Sequence, residues 1–158
     1  MRRALTYFLV AAACCADLSA EQKSWNKIRY AGGTVAIKTS PYDWNTTLSV
    51  SANPESVTIA IAPARMFSPK QTVKFKPSQI TSLSAGSAAW HRVAEVPGAQ
   101  LPSKTPTLFG LLEHHGYFGI VYETDDGKRG AVLLDSYFAF TILEILAGLS
   151  GKPVERSP

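Results

Sequence analysis

Apolar and polar residues alternate along much of the chain, most regularly between residues 47 and 61. Residues 47–51 and 56–61 each place apolar side chains at every second position, which is the period of a half-buried strand. Asn53 and Pro54 between them are turn-forming residues, so the pattern predicts a hairpin. The core-facing positions of its second strand are then Val57, Ile59 and Ile61.

Other alternating segments extend the prediction to a mainly β protein of about seven or eight short strands. The further strand segments are residues 28–30, 34–38, 72–76, 80–84 and 90–96, and a second hairpin formed by residues 117–123 and 130–134. Asp126 and Gly127 mark the tip of that hairpin, because glycine supplies the positive φ that tight turns need. Residues 31–33 are interpreted as a tight turn near the start of the domain.

The pattern changes to a helical period after residue 135. Polar and small residues form only a narrow stripe, so the sequence predicts one helix that is buried over most of its circumference. Ser136 is the predicted N-cap, with Asp135 just outside it at the positive end of the helix dipole, and Gly151 is the predicted end. The predicted buried face consists of Phe138, Ile142, Ile145, Leu146 and Leu149. Such a helix would plug the open end or side of a curved, nearly closed antiparallel sheet.

The first twenty residues have the pattern of a secretory signal peptide. A basic start is followed by an uncharged apolar stretch over residues 4–16 and then by small and polar residues. We therefore expect cleavage near Ala20 and export to the periplasm or the medium. Lipidation at Cys14 is a minority alternative, because Ala11 stands where a lipoprotein signal has a large aliphatic residue. Residues 21–26 are then a loose lead-in, residues 27–154 a single domain and residues 155–158 a disordered tail.

Composition narrows the class of protein. With 158 residues, 46% hydrophobic and 18% charged, the chain matches an ordinary globular domain and not a disordered or collagen-like one. Its net charge of +4 is small and scattered, so no nucleic-acid partner is expected. No apolar run is long enough to span a bilayer, so the mature chain is expected to lack a transmembrane segment. Both cysteines, Cys14 and Cys15, leave with the signal peptide.

Three segments resemble the pleckstrin-homology-like (PH-like) fold, in particular small exported bacterial PH-like proteins of unassigned function. They are residues 27–34 (KIRYAGGT), residues 73–86, and residues 117–154 with their strand, Asp-Gly-Lys hairpin, strand, helix and Gly-Lys-Pro-Val ending. The resemblance covers about residues 27–154 and implies a seven-stranded antiparallel barrel or sandwich capped by one C-terminal helix. It implies a binding or scaffolding role. Phosphoinositide binding does not carry over, because the first turn is short and neutral.

The residue types that carry chemistry are sparse and do not form a recognisable catalytic or metal site. His114 and His115 are adjacent, and neighbouring side chains diverge on a strand or a helix, which makes a shared metal ligand set awkward. Glu123, Asp125 and Asp126 lie at a predicted hairpin tip, where turn formation explains them. We therefore expect no enzyme activity, no catalytic residues, no cofactor and no metal.

The candidate docking surface combines an apolar segment with a basic strand. Its residues are Leu108, Phe109, Leu111, Leu112, Lys74 and Lys76. The lysines on a strand are also explained as protection of a sheet edge against unwanted pairing. The leading hypothesis is a non-enzymatic interaction or scaffolding module whose partner is a protein or an envelope component. The alternatives are a barrel that carries a small apolar ligand, and peripheral docking of residues 108–112 on a membrane surface.

Overall fold

The computed structural model describes residues 21–63, 69–102 and 116–156. Within these ranges the strands are β1 (Gln22–Gly33), β2 (Thr46–Ala52), β3 (Glu55–Ile61), β4 (Gln71–Phe75), β5 (Ile80–Ala85), β6 (Gly116–Glu123), β7 (Arg129–Ser136) and β8 (Val154–Arg156). The helices are α1 (Ser87–Ala94), α2 (Ala139–Ser150) and a short 3₁₀ helix (Pro77–Gln79). The protein is mainly β with a C-terminal helix, as the sequence predicted.

The eight strands form one sheet in the order β4-β3-β2-β1-β7-β6-β5-β8. All neighbouring pairs are antiparallel except β5 and β8, which run parallel. The long β1 joins the two halves, since its first part pairs with β2 and its last part with β7. The sheet is open at β4 and β8 but folds over itself, because Phe75 of β4 stacks on Tyr122 of β6 with ring centroids 4.3 Å apart.

The main core lies between the two halves of this folded sheet and is closed by α2. Ile142, Leu143 and Leu146 of α2 are at most 2% exposed and pack with residues from both halves. Burial of each such side chain contributes about 1.5–3 kcal/mol before entropy is counted. The C-terminal helix therefore caps the core, as expected.

A second, smaller core lies on the outer side of β6 and β7, under α1. Ala89 and Val93 of α1 are fully buried there together with Leu133 of β7. Gly119 of β6 permits this approach, because a Cβ at that position would lie 3.1 Å from the Val93 side chain and 3.2 Å from the Ala89 carbonyl oxygen. The predicted strand at residues 90–96 is wrong: its apolar residues are spaced for a helix face.

The predicted hairpins are confirmed. In β2 and β3, Val50 pairs with Val57, and the core-facing side chains Val57, Ile59 and Ile61 are fully buried. The β6–β7 hairpin turns at Gly127, whose φ is 76°. These elements were predictable because their residue period and turn residues agree with the final register.

Three predictions near the ends of elements are wrong. The predicted loose lead-in at residues 21–26 belongs to β1 from Gln22 onward, because its backbone pairs with β2. The predicted strand at residues 34–38 is irregular, and the residues expected to form a turn before it instead complete β1. The tail was expected to be disordered from residue 155, but residues 155 and 156 belong to β8 (Val154–Arg156), which pairs with β5.

The helix α2 is correct in place but differs at its start and in its burial. Ser136 ends β7, and its Oγ accepts a hydrogen bond from the Phe138 backbone N–H at 3.0 Å, while Phe138 is the N-cap residue. Phe138 is 50% exposed and Leu149 40% exposed, so two members of the predicted buried face lie largely outside the core. Gly151 ends the helix in the left-handed conformation, as predicted.

Candidate functional site

A cleft of about 580 Å³ lies on the molecule between the irregular segment after β1, the helix α1 and residues 100–102. That volume is in the range of small-ligand pockets. Its walls are largely apolar and aromatic. The side chains that form them include Val35, Ile37, Trp90, Leu101, Pro102 and Tyr117.

One wall is fixed by the glycines at the end of β1. The backbone of Gly33 exchanges two hydrogen bonds with Gln100, at 2.9 Å and 2.8 Å. A Cβ on Gly32 would lie 2.5 Å from the Gln100 carbonyl oxygen, so only glycine allows the two chain segments to come this close. Gly33 also has a φ of 139°, in the region that favours glycine. The glycine pair therefore binds residues 100–102 against the sheet.

The opposite wall is the segment after β1, held by side-chain hydrogen bonds. The Tyr30 hydroxyl donates to the Val35 carbonyl at 3.2 Å, and the Thr39 hydroxyl donates to the Tyr30 carbonyl at 3.0 Å. The Ser40 backbone N–H donates to an Asp43 carboxylate oxygen at 2.7 Å. These bonds give an irregular segment a defined path, which is what a binding wall requires.

A buried ion pair lies beside the cleft. Arg29 of β1 donates from Nε and Nη2 to the same oxygen of Asp135 in β7, at 3.2 Å and 2.6 Å. Nη2 also donates to the Tyr117 hydroxyl, and the guanidinium lies 5.7 Å and 5.5 Å from the ring centroids of Trp44 and Tyr117. The Arg29 side chain is 11% exposed and that of Asp135 is fully buried. The aromatic rings and the carboxylate thus hold the guanidinium in one orientation.

These partners stabilise the charged form of Arg29. Burial lowers the pKa of Arg29, but the hydrogen bonds and charge of Asp135, together with Tyr117, outweigh burial and raise that pKa above its ordinary value. Arg29 is one of the residues that line the cleft. No described residue accepts a hydrogen bond from its Nη1 atom. Among the described residues, therefore, none engages the Nη1 N–H pair of Arg29.

The predicted lysines lie elsewhere. Lys74 is in the edge strand β4 and Lys76 follows it, and both are exposed. They line a separate shallow recess of about 270 Å³ together with the acidic residues Glu55 and Asp125. The structure therefore does not bring the two lysines to the cleft, and the recess that they line also contains two acidic residues.

The acidic hairpin tip and the histidines give no catalytic arrangement among the described residues. Asp126 pairs with Lys128 at 2.8 Å and accepts from the Thr124 hydroxyl, and Asp125 accepts from the Gln79 amide at 2.9 Å. The Lys128 and Thr124 partners lower the pKa of Asp126 to about 2. His91 is exposed on α1. Residues 21–63, 69–102 and 116–156 contain no group of three or more His, Cys, Asp or Glu side chains placed to hold a metal ion.

Several predictions fall outside the described residues. These are the signal peptide with Cys14 and its cleavage near Ala20, the histidines His114 and His115, and the apolar part of the docking surface. Its residues Leu108, Phe109, Leu111 and Leu112 all lie in the 103–115 range.

The Arg29–Asp135 pair was missed by sequence reasoning. The two residues are 106 positions apart, and Asp135 was assigned to the helix start. A usable signal does exist: Asp135 directly continues the apolar run 131–134, so a carboxylate at that place in a buried strand requires a cationic partner. Arg29 lies between the core residues Ile28 and Tyr30 in the strand that pairs with it.

A scan against protein-family models and a search of curated proteins each found no match for this chain. In the described part of the chain, neither α-helix combines the length and apolar character needed to cross a membrane.

Proposed function

We propose that this chain is a non-enzymatic interaction module of an exported bacterial protein, with a PH-like fold, and that the cleft beside Arg29 is its binding site. The open folded sheet with a C-terminal helix supports the fold part of this proposal. The signal-peptide pattern of residues 1–20 supports export.

The observation that carries the proposal is the position of Arg29 in a cleft whose walls are held by hydrogen bonds. Its guanidinium is bound on one edge by Asp135 and Tyr117, and the wall formed by residues 100–102 is tied to the sheet through Gly33–Gln100 backbone pairing. Charged and aromatic side chains that are held in one orientation favour the binding of a chemical group on a partner molecule. The described residues that line the cleft include no general base placed next to a nucleophile, which is the arrangement that nucleophilic catalysis uses.

A barrel that carries an apolar ligand in its interior has less support. The space between the two halves of the sheet is occupied by Ile142, Leu143 and Leu146 of α2, which pack against both halves. A ligand would have to displace the helix. The cleft lies outside this core and needs no such displacement.

Photo-crosslinking in the producing cells tests the proposal. A benzophenone amino acid is placed at Lys38, an exposed residue that lines the cleft, and separately at Lys74 on the β4 edge as the matched position outside it. We expect a discrete protein adduct from position 38 and none from position 74. Adducts from position 74 alone, or none at all, would contradict the proposal. A small molecule retained in the native mass spectrum of the exported chain would favour the carrier instead.

A further inference from the structure

We infer that the cleft binds the C-terminal carboxylate of a partner protein whose last residues are apolar and extended. This inference rests on the proposed function, because it names the chemical group that the interaction module recognises. Three features of the cleft support it: a cationic donor, a positively charged residue at the rim, and a lining that is largely apolar with some polar residues.

The donor is Nη1 of Arg29. Asp135 and Tyr117 use the Nε and Nη2 side of the guanidinium, and no described residue accepts from Nη1. A hydrogen bond from a guanidinium to a carboxylate is charge-assisted and therefore stronger than one between neutral groups. Because Asp135 holds the guanidinium in place, little side-chain entropy is lost when a ligand binds.

The charge around the cleft favours an anion. Lys38 lies at its rim, and none of the described residues that line it is acidic. The two carboxylates of neighbouring residues are engaged: Asp135 accepts from Arg29, and Asp43 accepts from the Ser40 backbone N–H. A carboxylate that enters the cleft meets no facing negative charge among these residues.

The walls match a peptide better than an alkyl chain. Val35, Ile37 and Leu101 are apolar residues of the lining, while Ser40 and Gln100 are polar residues of the same lining. The Ser40 hydroxyl already accepts from the Tyr42 backbone N–H, but an alkyl chain packed over the exposed Gln100 would offer its side-chain amide no hydrogen-bond partner, which is unfavourable. A peptide supplies backbone amides for the polar groups and apolar side chains for the rest.

Fluorescence anisotropy with paired peptides tests the inference. A fluorescein-labelled Gly-Ser-Gly-Ser-Ala-Leu-Val-Leu peptide is prepared with a free carboxyl terminus and, in matched form, with a terminal amide. The mature full chain should bind the acid about ten-fold or more tightly than the amide, since a hydrogen bond to a charged group is lost. Equal binding of the two peptides, or binding of neither, would overturn the inference.

Two variants locate the binding site. Lys38→Gln should weaken binding of the acid about two- to five-fold and remove part of its salt dependence, whereas Lys74→Gln, outside the cleft, should leave it unchanged. Arg29→Lys should reduce the acid–amide difference while a thermal melt confirms that the chain is folded. If Lys38→Gln and Lys74→Gln have equal effects, the carboxylate is not bound in the cleft.

The failures of the two proposals are distinguishable. If dodecanoate saturates the protein and the peptide acid does not compete, the ligand is a free organic acid and the inference is wrong. A protein crosslink from position 38 would still stand in the case of equal acid and amide binding. In that case the interaction module is supported and only its carboxylate specificity is rejected.

Discussion

At the scale of single residues, the Arg29–Asp135 pair is the most consequential feature of the described structure. Two charges that are 11% and 0% exposed are costly to remove from water, and each depends on the other for compensation. We predict that Asp135→Ala lowers the free energy of unfolding by about 3–5 kcal/mol, because it leaves a buried guanidinium without a carboxylate. Urea denaturation followed by circular dichroism measures the loss.

Two further variants separate this effect from a general intolerance to substitution. Replacing both partners, as Arg29→Met with Asp135→Leu, should recover much of the stability because no buried charge remains uncompensated. Glu144→Ala, at an exposed carboxylate of α2, should change the stability very little. A loss below about 1 kcal/mol in Asp135→Ala would show that the pair is not buried as described.

Gly130 provides a second prediction at this scale. A Cβ there would lie 2.3–2.6 Å from three atoms of Tyr122, and the ring of Tyr122 is stacked on Phe75 at 4.3 Å. Because the ring is confined on its other face, Gly130→Ala should lower the free energy of unfolding by about 1–3 kcal/mol. Gly116→Ala in the same sheet is the control, since among the described residues its Cβ would meet only Ala139, at an ordinary 3.6 Å. Equal melting temperatures for the two variants would contradict this account.

At the scale of elements, α2 has a buried face that packs on the core and an exposed face that contains a glycine, which is a poor helix former. Gly148 is exposed in this helix, and a Cβ there would meet no atom of the described residues within 4 Å. We predict that Gly148→Ala raises the free energy of unfolding by about 0.5–1 kcal/mol, because alanine loses less backbone entropy in a helix. Thermal melts measure the gain. Gly151→Ala is the opposite control, since its φ of 68° is strained for alanine, and the variant should melt lower.

How far each element could be predicted depended on whether local pattern and tertiary contacts agree. The β2–β3 and β6–β7 hairpins and α2 were predicted because their period, turns and burial coincide. The helix α1 was missed because it is only eight residues long and its helical face depends on Gly119 of a distant strand. The first residues of β1 and all of β8 lack a strong strand pattern and are ordered by backbone pairing with β2 and β5.

The candidate site was less predictable than the fold for a related reason. Its residues come from β1, the segment after it, α1, residues 100–102 and β6, so no local motif marks it. From the sequence alone, the glycines at positions 32 and 33 predict a turn. Their role, which is to let Gln100 approach the sheet, appears only when distant segments are brought together.

At the scale of the whole molecule, two buried tyrosines make the free energy of unfolding decrease at alkaline pH. Tyr30 is 3% exposed and Tyr122 is 5% exposed, and both belong to the main core between the halves of the sheet. Burial is the largest cause that raises the pKa of each hydroxyl above its ordinary value of 10.0. The folded state therefore favours the protonated phenols more strongly than the unfolded state does.

The sign of the pH dependence follows from that difference. Since both pKa values are higher in the folded chain, their contribution is fully present below pH 10.0 and is lost as the pH rises through the folded-state values. We predict that the urea midpoint falls steadily above about pH 10, and that Tyr30→Phe makes this decline shallower because one titrating group is removed. At neutral pH the same variant should lose about 0.5–1.5 kcal/mol, since the hydrogen bond to the Val35 carbonyl is gone. Tyr42→Phe is the control, and it should keep the wild-type profile because the Tyr42 side chain is 87% exposed. If the Tyr30→Phe profile is as steep as that of the wild type, ionisation of Tyr30 does not contribute to the alkaline loss of stability.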